Sequence, residues 1–123
     1  MRRLAPVAVA AAALALGCGA SGAGTSSGLK GRVMRGPITP VCRVNVPCDE
    51  PARGVRLLFS RSGRVVARAT TNQKGWYRVA LRPGRYSVRT NRPGFEARPQ
   101  PSSATVRRGI FARRDFMLDT GIR

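Results

Sequence analysis

Few residues of this sequence have the chemistry that catalysis or metal binding requires. The chain has 123 residues, no histidine, five Asp and Glu residues, and three cysteines, Cys18, Cys42 and Cys48. The lack of histidine excludes Ser-His and Cys-His nucleophilic pairs and histidine metal sites. Two thiolates fall short of the four ligands that zinc prefers. We therefore expect no metal, no cofactor and no enzymatic activity.

Cys18 follows a segment typical of an export signal. Arg2 and Arg3 precede an uncharged apolar run, Leu4–Leu16, whose 13 residues are too few to span a bilayer. The end of this run, Gly17-Cys18, resembles the bacterial lipobox. That resemblance implies cleavage before Cys18 and a diacylglycerol anchor on it, with acyl chains such as palmitate.

Two alternatives for this segment stay open. Ala15 and Leu16 depart from the commoner lipobox residues, Leu and a smaller side chain respectively. An ordinary signal peptide cut nearby would leave Cys18 incidental, and the Arg2-Arg3 pair also invites comparison with twin-arginine signals, although their flanking pattern is absent.

The first 28 residues therefore divide into a signal peptide, 1–17, and a segment of small residues, 18–28, with the composition of a flexible tether. Residues 29–123 form the predicted folded domain. We expect the protein to be exported and held by lipid on the outer face of the cell membrane.

Cys42 and Cys48 are the pair that remains if Cys18 is acylated. They lie in a proline-rich segment containing Pro37, Pro40 and Pro47. Because exported proteins meet oxidising conditions, we expect a Cys42–Cys48 disulfide that stiffens this loop.

The net charge is +18, and 21 of the 23 cationic residues are arginine. Such a bias also arises in GC-rich genomes without selection for a partner. The arginines are spread along the chain, so nothing favours nucleic acid. A cationic chain beside a membrane is suited to anionic lipid or an acidic cell-wall polymer, and a solvated surface without a dedicated partner is the alternative. The sequence specifies no oligomeric state.

From Leu29 onward apolar residues recur with a period of two, and turn signals separate the runs. This pattern predicts short antiparallel strands in a sandwich or barrel, and no window after the signal favours a helix. The last run, 110–118, places Phe111 and Phe116 on opposite faces unless a bulge intervenes. The expected inner-face residues are Val33, Leu57, Phe59, Tyr77, Val79, Tyr86, Val88 and Phe116.

Two segments resemble a known family. Thr70-Thr71-Asn72-Gln73-Lys74-Gly75-Trp76-Tyr77, followed by Leu81-Arg82-Pro83-Gly84-Arg85-Tyr86-Ser87-Val88, is similar to the core of the carboxypeptidase regulatory-like domain, and Gly31-Arg32-Val33 resembles its opening strand. Asn72 stands where Asp is usual. The resemblance implies an all-β, seven-stranded antiparallel sandwich of the transthyretin-like (prealbumin-like) type without catalytic activity.

Trp76 is the residue most suited to binding. Alternation places it opposite Tyr77, so it faces outward if Tyr77 is in the core. An exposed indole can stack on a sugar ring or sit at lipid headgroups; alternatively, it covers arginine stems or the proline loop.

A covalent alternative is an isopeptide between Lys30 and Asp119, as in pilin-like sandwiches, with Glu96 as helper. Our expectation is a non-catalytic binding or structural module of the cell envelope, with carbohydrate binding through Trp76 as the alternative.

Overall fold

The computed structural model describes residues 26–123, which form a sandwich of two β-sheets. Nine strands and one short 3-10 turn, Gly94–Ala97, make up the fold. The strands are β1 (Gly28–Gly36), β2 (Glu50–Pro51), β3 (Arg56–Arg61), β4 (Arg64–Thr70), β5 (Trp76–Ala80), β6 (Gly84–Thr90), β7 (Ser103–Val106), β8 (Phe111–Arg113) and β9 (Phe116–Asp119).

The first sheet is built around β1. Along one edge β1 pairs antiparallel with β5 and then with the two-residue β2. Along its other edge it pairs parallel with β8 and then with β9. Both ends of the described chain therefore meet in this sheet.

The second sheet has the order β4-β3-β6-β7, with antiparallel pairs throughout. The register shifts between Phe59 and Ser60 where β3 meets β4. Beyond this shift the outer residues of the hairpin no longer reach the core, and Val65 and Val66 are exposed.

The β-sandwich predicted from the alternation is confirmed, with two differences of detail. Residues 26–123 contain nine strands where seven were predicted, because β2 is an additional short strand and the last run divides into β8 and β9. The sandwich is not wholly antiparallel, because both of these last strands run parallel to β1.

The core lies between the two sheets and contains every inner-face residue predicted from strand parity. Tyr77 is its aromatic centre, with its ring centroid 6.3 Å from that of Phe59 and 5.7 Å from that of Phe116. The Tyr77 hydroxyl donates a hydrogen bond to the Arg114 carbonyl at 2.6 Å. Burial raises the pKa of this phenol, and the nearby Asp115 charge raises it further.

The interruption between β8 and β9 resolves the parity conflict of the last run. At Arg114 and Asp115 the strand breaks, and the Asp115 carboxylate accepts the Arg32 backbone N–H at 2.8 Å in place of a backbone carbonyl. This irregularity changes parity, so Phe111 lies on the outer face while Phe116 is buried.

The turn before β5 is organised by Asn72 and Gly75. The Asn72 side-chain oxygen accepts the backbone N–H groups of Lys74 at 2.9 Å and Trp76 at 3.0 Å. Gly75 has a φ of +84°, a conformation that costs glycine little. Its carbonyl accepts the Val33 N–H at 2.8 Å, which joins this turn to β1.

The predicted Cys42–Cys48 disulfide is present in the exposed loop between β1 and β2. Just before the predicted domain start at residue 29, Ser27 is buried and Gly28 already belongs to β1. The predicted signal peptide, Cys18 and the tether up to residue 25 lie outside the described residues. Within residues 26–123 there is no helix long and apolar enough to cross a membrane.

Candidate functional site

The outer face of the first sheet carries a regular array of cationic and aromatic side chains. Strand register places Trp76 on β5 beside Arg32 on β1. One row along, Lys30 of β1 lies between Arg78 of β5 and Arg113 of β8. We call these five residues the cationic face.

The row Arg78–Lys30–Arg113 sets three positive charges side by side across three strands. Neighbouring strands are about 4.8 Å apart, and like charges placed opposite each other destabilise a sheet. Two of the three cations have local compensation. The Arg78 guanidinium lies 3.7 Å from the Phe111 ring centroid, and Arg113 pairs with Asp115 at 3.0 Å.

Lys30 differs from its two neighbours. Its side chain is exposed and has no carboxylate within salt-bridge distance among residues 26–123. It lines a shallow cavity with Gly31, Trp76, Tyr77, Arg78 and Arg113. The centre of the cationic face is thus a positive charge whose counterion this part of the chain does not supply.

Trp76 faces outward with 38% of its surface exposed, as strand alternation predicts. The guanidinium carbons of Arg32 and Arg113 lie 5.4 Å and 5.0 Å from its ring centroid. Contacts of this kind contribute about 0.5–1 kcal/mol at exposed sites. Trp76 therefore covers arginine side chains, one of the two roles expected for it, and still presents part of its indole to solvent.

Asp115 links the cationic face to the fold. Hydrogen bonds from the Arg113 guanidinium are the main cause of a lowered Asp115 pKa, and the Arg32 N–H lowers it further. The carboxylate is thus satisfied by the protein itself, which leaves the face positive.

Asp115 has two roles: it accepts the Arg32 backbone N–H and it pairs with the Arg113 guanidinium. Two different replacements of Asp115 are expected to separate these roles. Asp115→Asn retains an oxygen that can accept the Arg32 N–H, so its stability at pH 7 should fall only slightly. Asp115→Ala loses that ladder bond, at a cost of about 1 kcal/mol. Urea unfolding of both variants at pH 7 measures the difference.

The pH dependence of the free energy of unfolding gives a second test of the role of Asp115. A lowered folded-state pKa stabilises the protein above the unfolded value of about 4, and this contribution is lost as the pH falls through the folded value. The stability gap between the parent protein and Asp115→Asn should therefore shrink from pH 5 to pH 2. A gap that widens on acidification would contradict the assignment.

Sequence reasoning selected Trp76 but not the cations around it. The outward parity of Lys30, Arg32 and Arg78 was readable from alternation. Their assembly into rows depends on strand register, which alternation does not determine. Arg113 could not be placed, because the break at Asp115 decides its parity.

Comparison with known families identifies the fold. The sequence model of the carboxypeptidase regulatory-like domain matches residues 28–119. The chain belongs to this family. A search of curated proteins found no match.

The Asn72 departure from the family pattern does not disturb this carboxypeptidase regulatory-like domain. The side-chain oxygen of Asn72 accepts two backbone N–H groups, and an aspartate at the same place offers the same acceptor. Asn72 thus serves as a turn residue.

The other candidate residues are not brought together. Lys30 pairs with Arg113, whereas Asp119 pairs with Gly36, six residues further along β1. Asp119 instead binds the guanidinium of Arg123 at 3.1 Å. A Lys30–Asp119 isopeptide is therefore incompatible with this strand pairing. Residues 26–123 contain no group of three or more Cys, Asp or Glu side chains that could hold a metal ion.

Proposed function

We propose that this protein is a non-catalytic binding module of the cell envelope and that its ligand is an acidic glycan held on the cationic face. The observation that supports this proposal is the exposed indole of Trp76 next to the unpaired charge of Lys30. An aromatic face suits the apolar side of a sugar ring. A neighbouring ammonium group suits the carboxylate of an acidic sugar.

Polygalacturonate is a suitable probe, with dextran as a neutral glycan. The parent protein should be retained by polygalacturonate and not by dextran. Trp76→Ala and Lys30→Ala should each weaken retention about five- to tenfold, equivalent to roughly 1 kcal/mol. Affinity electrophoresis measures both.

A strongly cationic protein binds polyanions through net charge alone, so each variant needs a matched control. Phe95 is 62% exposed and has the Arg123 guanidinium 5.2 Å from its ring centroid, so Phe95→Ala removes a comparable aromatic elsewhere. Arg43→Ala removes one exposed charge from the disulfide loop. Equal losses in a variant and its control would show that the cationic face is not the site, because net charge alone would then explain retention.

The proposed location of this module is the outer face of the cell membrane, where lipid attached to Cys18 would anchor it. Support comes from the lipobox-like sequence and from the Cys42–Cys48 disulfide, which suits an oxidising compartment.

Cys18→Ser is expected to abolish lipid labelling and to release the chain from the membrane fraction or leave it unprocessed. Metabolic labelling with an alkyne fatty acid and fractionation of the expressing bacterium measure both effects. The double variant Cys42→Ser/Cys48→Ser is the control and should still be labelled. Normal processing and membrane retention of Cys18→Ser would refute the anchor.

A further inference from the structure

Three turns of the sandwich meet at the end where the chain passes into β1. Gly28 pairs with Ala80, the last residue of β5, and with Phe111, the first residue of β8. Gly84, which begins β6, pairs with Val106, which ends β7. The β3–β4, β5–β6 and β7–β8 turns therefore lie together, since Arg61 of the first contacts the Pro83 carbonyl of the second at 3.4 Å. We call this the proximal end.

The proximal end is rich in positive charge that no carboxylate of the described residues neutralises. Its three turns contain five exposed arginines and no acidic residue: Arg61, Arg64, Arg82, Arg107 and Arg108. None of the five has a carboxylate within salt-bridge distance in the described part of the chain. Like charges gathered at one end of a domain repel one another, and an anionic ligand bound there would relieve that repulsion.

The opposite, distal end has a different charge arrangement. It holds four of the five carboxylates of the sequence, Asp49, Glu50, Glu96 and Asp119. Arg35 pairs with both glutamates, and the hydrogen bonds that its guanidinium donates to Glu96 are the main cause of its raised pKa. Cations at the distal end are therefore partly neutralised, so the charge of the domain is polarised along β1.

An apolar side chain stands among the proximal arginines. Ile110, in the β7–β8 turn, is 48% exposed, and its carbonyl accepts the Gly28 N–H at 3.0 Å. Beside it, residues 26 and 27 line a depression with Arg82, Pro83 and Phe111. Exposed apolar groups surrounded by cations are typical of surfaces that rest at the boundary between lipid headgroups and acyl chains.

We propose that the proximal end docks on anionic phospholipid headgroups of the membrane that carries the chain. This inference rests on the lipid anchor proposed above. Eight residues separate Cys18 from Ser27, and a random-coil segment of that length spans roughly 16 Å. Because the described residues start at the proximal end, that end, and not the distal one, is held against the bilayer.

The positive charge of the proximal end is complementary to the negative charge of an anionic leaflet. Each basic residue close to an anionic leaflet contributes about 1 kcal/mol, or about fivefold in affinity, and this attraction decays within a Debye length. Docking of this end directs the disulfide loop away from the membrane and leaves the cationic face at the side, accessible to a cell-wall polymer.

Vesicle sedimentation tests the proposal with the full chain carrying Cys18→Ser, so that no attached acyl chain contributes. The vesicles contain phosphatidylcholine alone or with 30% phosphatidylglycerol. The variant Arg82→Ser/Arg107→Ser/Arg108→Ser removes three proximal charges. Its control, Arg43→Ser/Arg53→Ser/Arg98→Ser, removes three exposed charges elsewhere.

The proximal variant should lose about 100-fold of its partitioning into anionic vesicles, the product of three fivefold factors. The control should lose less than about threefold, and binding to neutral vesicles should not distinguish the two. Equal losses in both variants would overturn the proposal, because net charge alone would then explain binding. Loss of polygalacturonate binding in the proximal variant, with vesicle binding unchanged, would assign this end to a polymer.

If the triple variant does not fold, Arg108→Glu against Arg43→Glu repeats the comparison with single reversals at exposed positions. The result is independent of the anchor itself, because fractionation of Cys18→Ser in cells tests lipidation separately.

Discussion

Replacing Tyr77 with alanine is expected to lower the free energy of unfolding by about 3–5 kcal/mol. Tyr77 is 5% exposed and lies between Phe59 of the second sheet and Phe116 of the first. Its removal leaves a cavity at the centre of the core and an unpaired Arg114 carbonyl. Domains of this size have total stabilities of about 5–15 kcal/mol, so this loss is a large share of the total.

Thermal melts compare the effect of Tyr77→Ala with that of Trp76→Ala, a substitution of the adjacent residue. Tyr77→Ala should lower the midpoint by at least about 12 °C, since each kcal/mol corresponds to about 4–8 °C in a domain of this length. Trp76→Ala should cost about 1–2 kcal/mol, because its main losses are exposed contacts with arginine. Tyr77→Phe isolates the hydroxyl and should cost about 1 kcal/mol. A larger effect for Trp76→Ala than for Tyr77→Ala would contradict the packing described.

Gly75→Ala is expected to destabilise the sandwich by about 2–5 kcal/mol, through backbone strain and overpacking together. The φ of +84° disfavours any L side chain by about 1–2 kcal/mol. In addition, a Cβ atom here would lie against the Val33 carbonyl oxygen, and such overpacking typically costs about 1–3 kcal/mol. Relief of this clash would move the turn away from β1 and so strain the hydrogen bond from the Val33 N–H to the Gly75 carbonyl.

Gly63→Ala is the matched control for this variant. Gly63 has a similar φ of +79°, but nothing lies within 4 Å of the position its Cβ would occupy. Urea unfolding should therefore show a loss of about 1–2 kcal/mol for Gly63→Ala, from backbone strain alone. Equal losses for the two glycines would show that the approach of β1 to the Gly75 turn does not constrain the fold.

The core could be predicted from the sequence because parity depends only on the local chain. Val33, Leu57, Tyr77 and Phe116 each share the apolar face of their strand, and burial on one face fixes that choice. The turn at Asn72 was equally readable, since its side chain bonds to backbone only two to four residues away.

The features of the fold and of the cationic face that could not be predicted from the sequence depend on contacts between distant segments. The parallel pairing of β8 and β9 with β1 joins residues about 80 positions apart, for example Arg32 and Asp115. The shift between Phe59 and Ser60, which exposes Val65, arises from a register mismatch between two strands and leaves no local signal. The cationic face could not be assembled for the same reason, because its members lie on three strands.

The central position of β1 also determines the order in which the protein can mature. Among the described residues β1 comes before every other strand, whereas its parallel partners, residues 111–119, are synthesised about 80 positions later. Until those residues appear, one edge of β1 has open backbone groups that can pair with other chains. Contacts of such long range also slow folding. The sandwich can therefore be completed only when residues 111–119 are available to pair with β1.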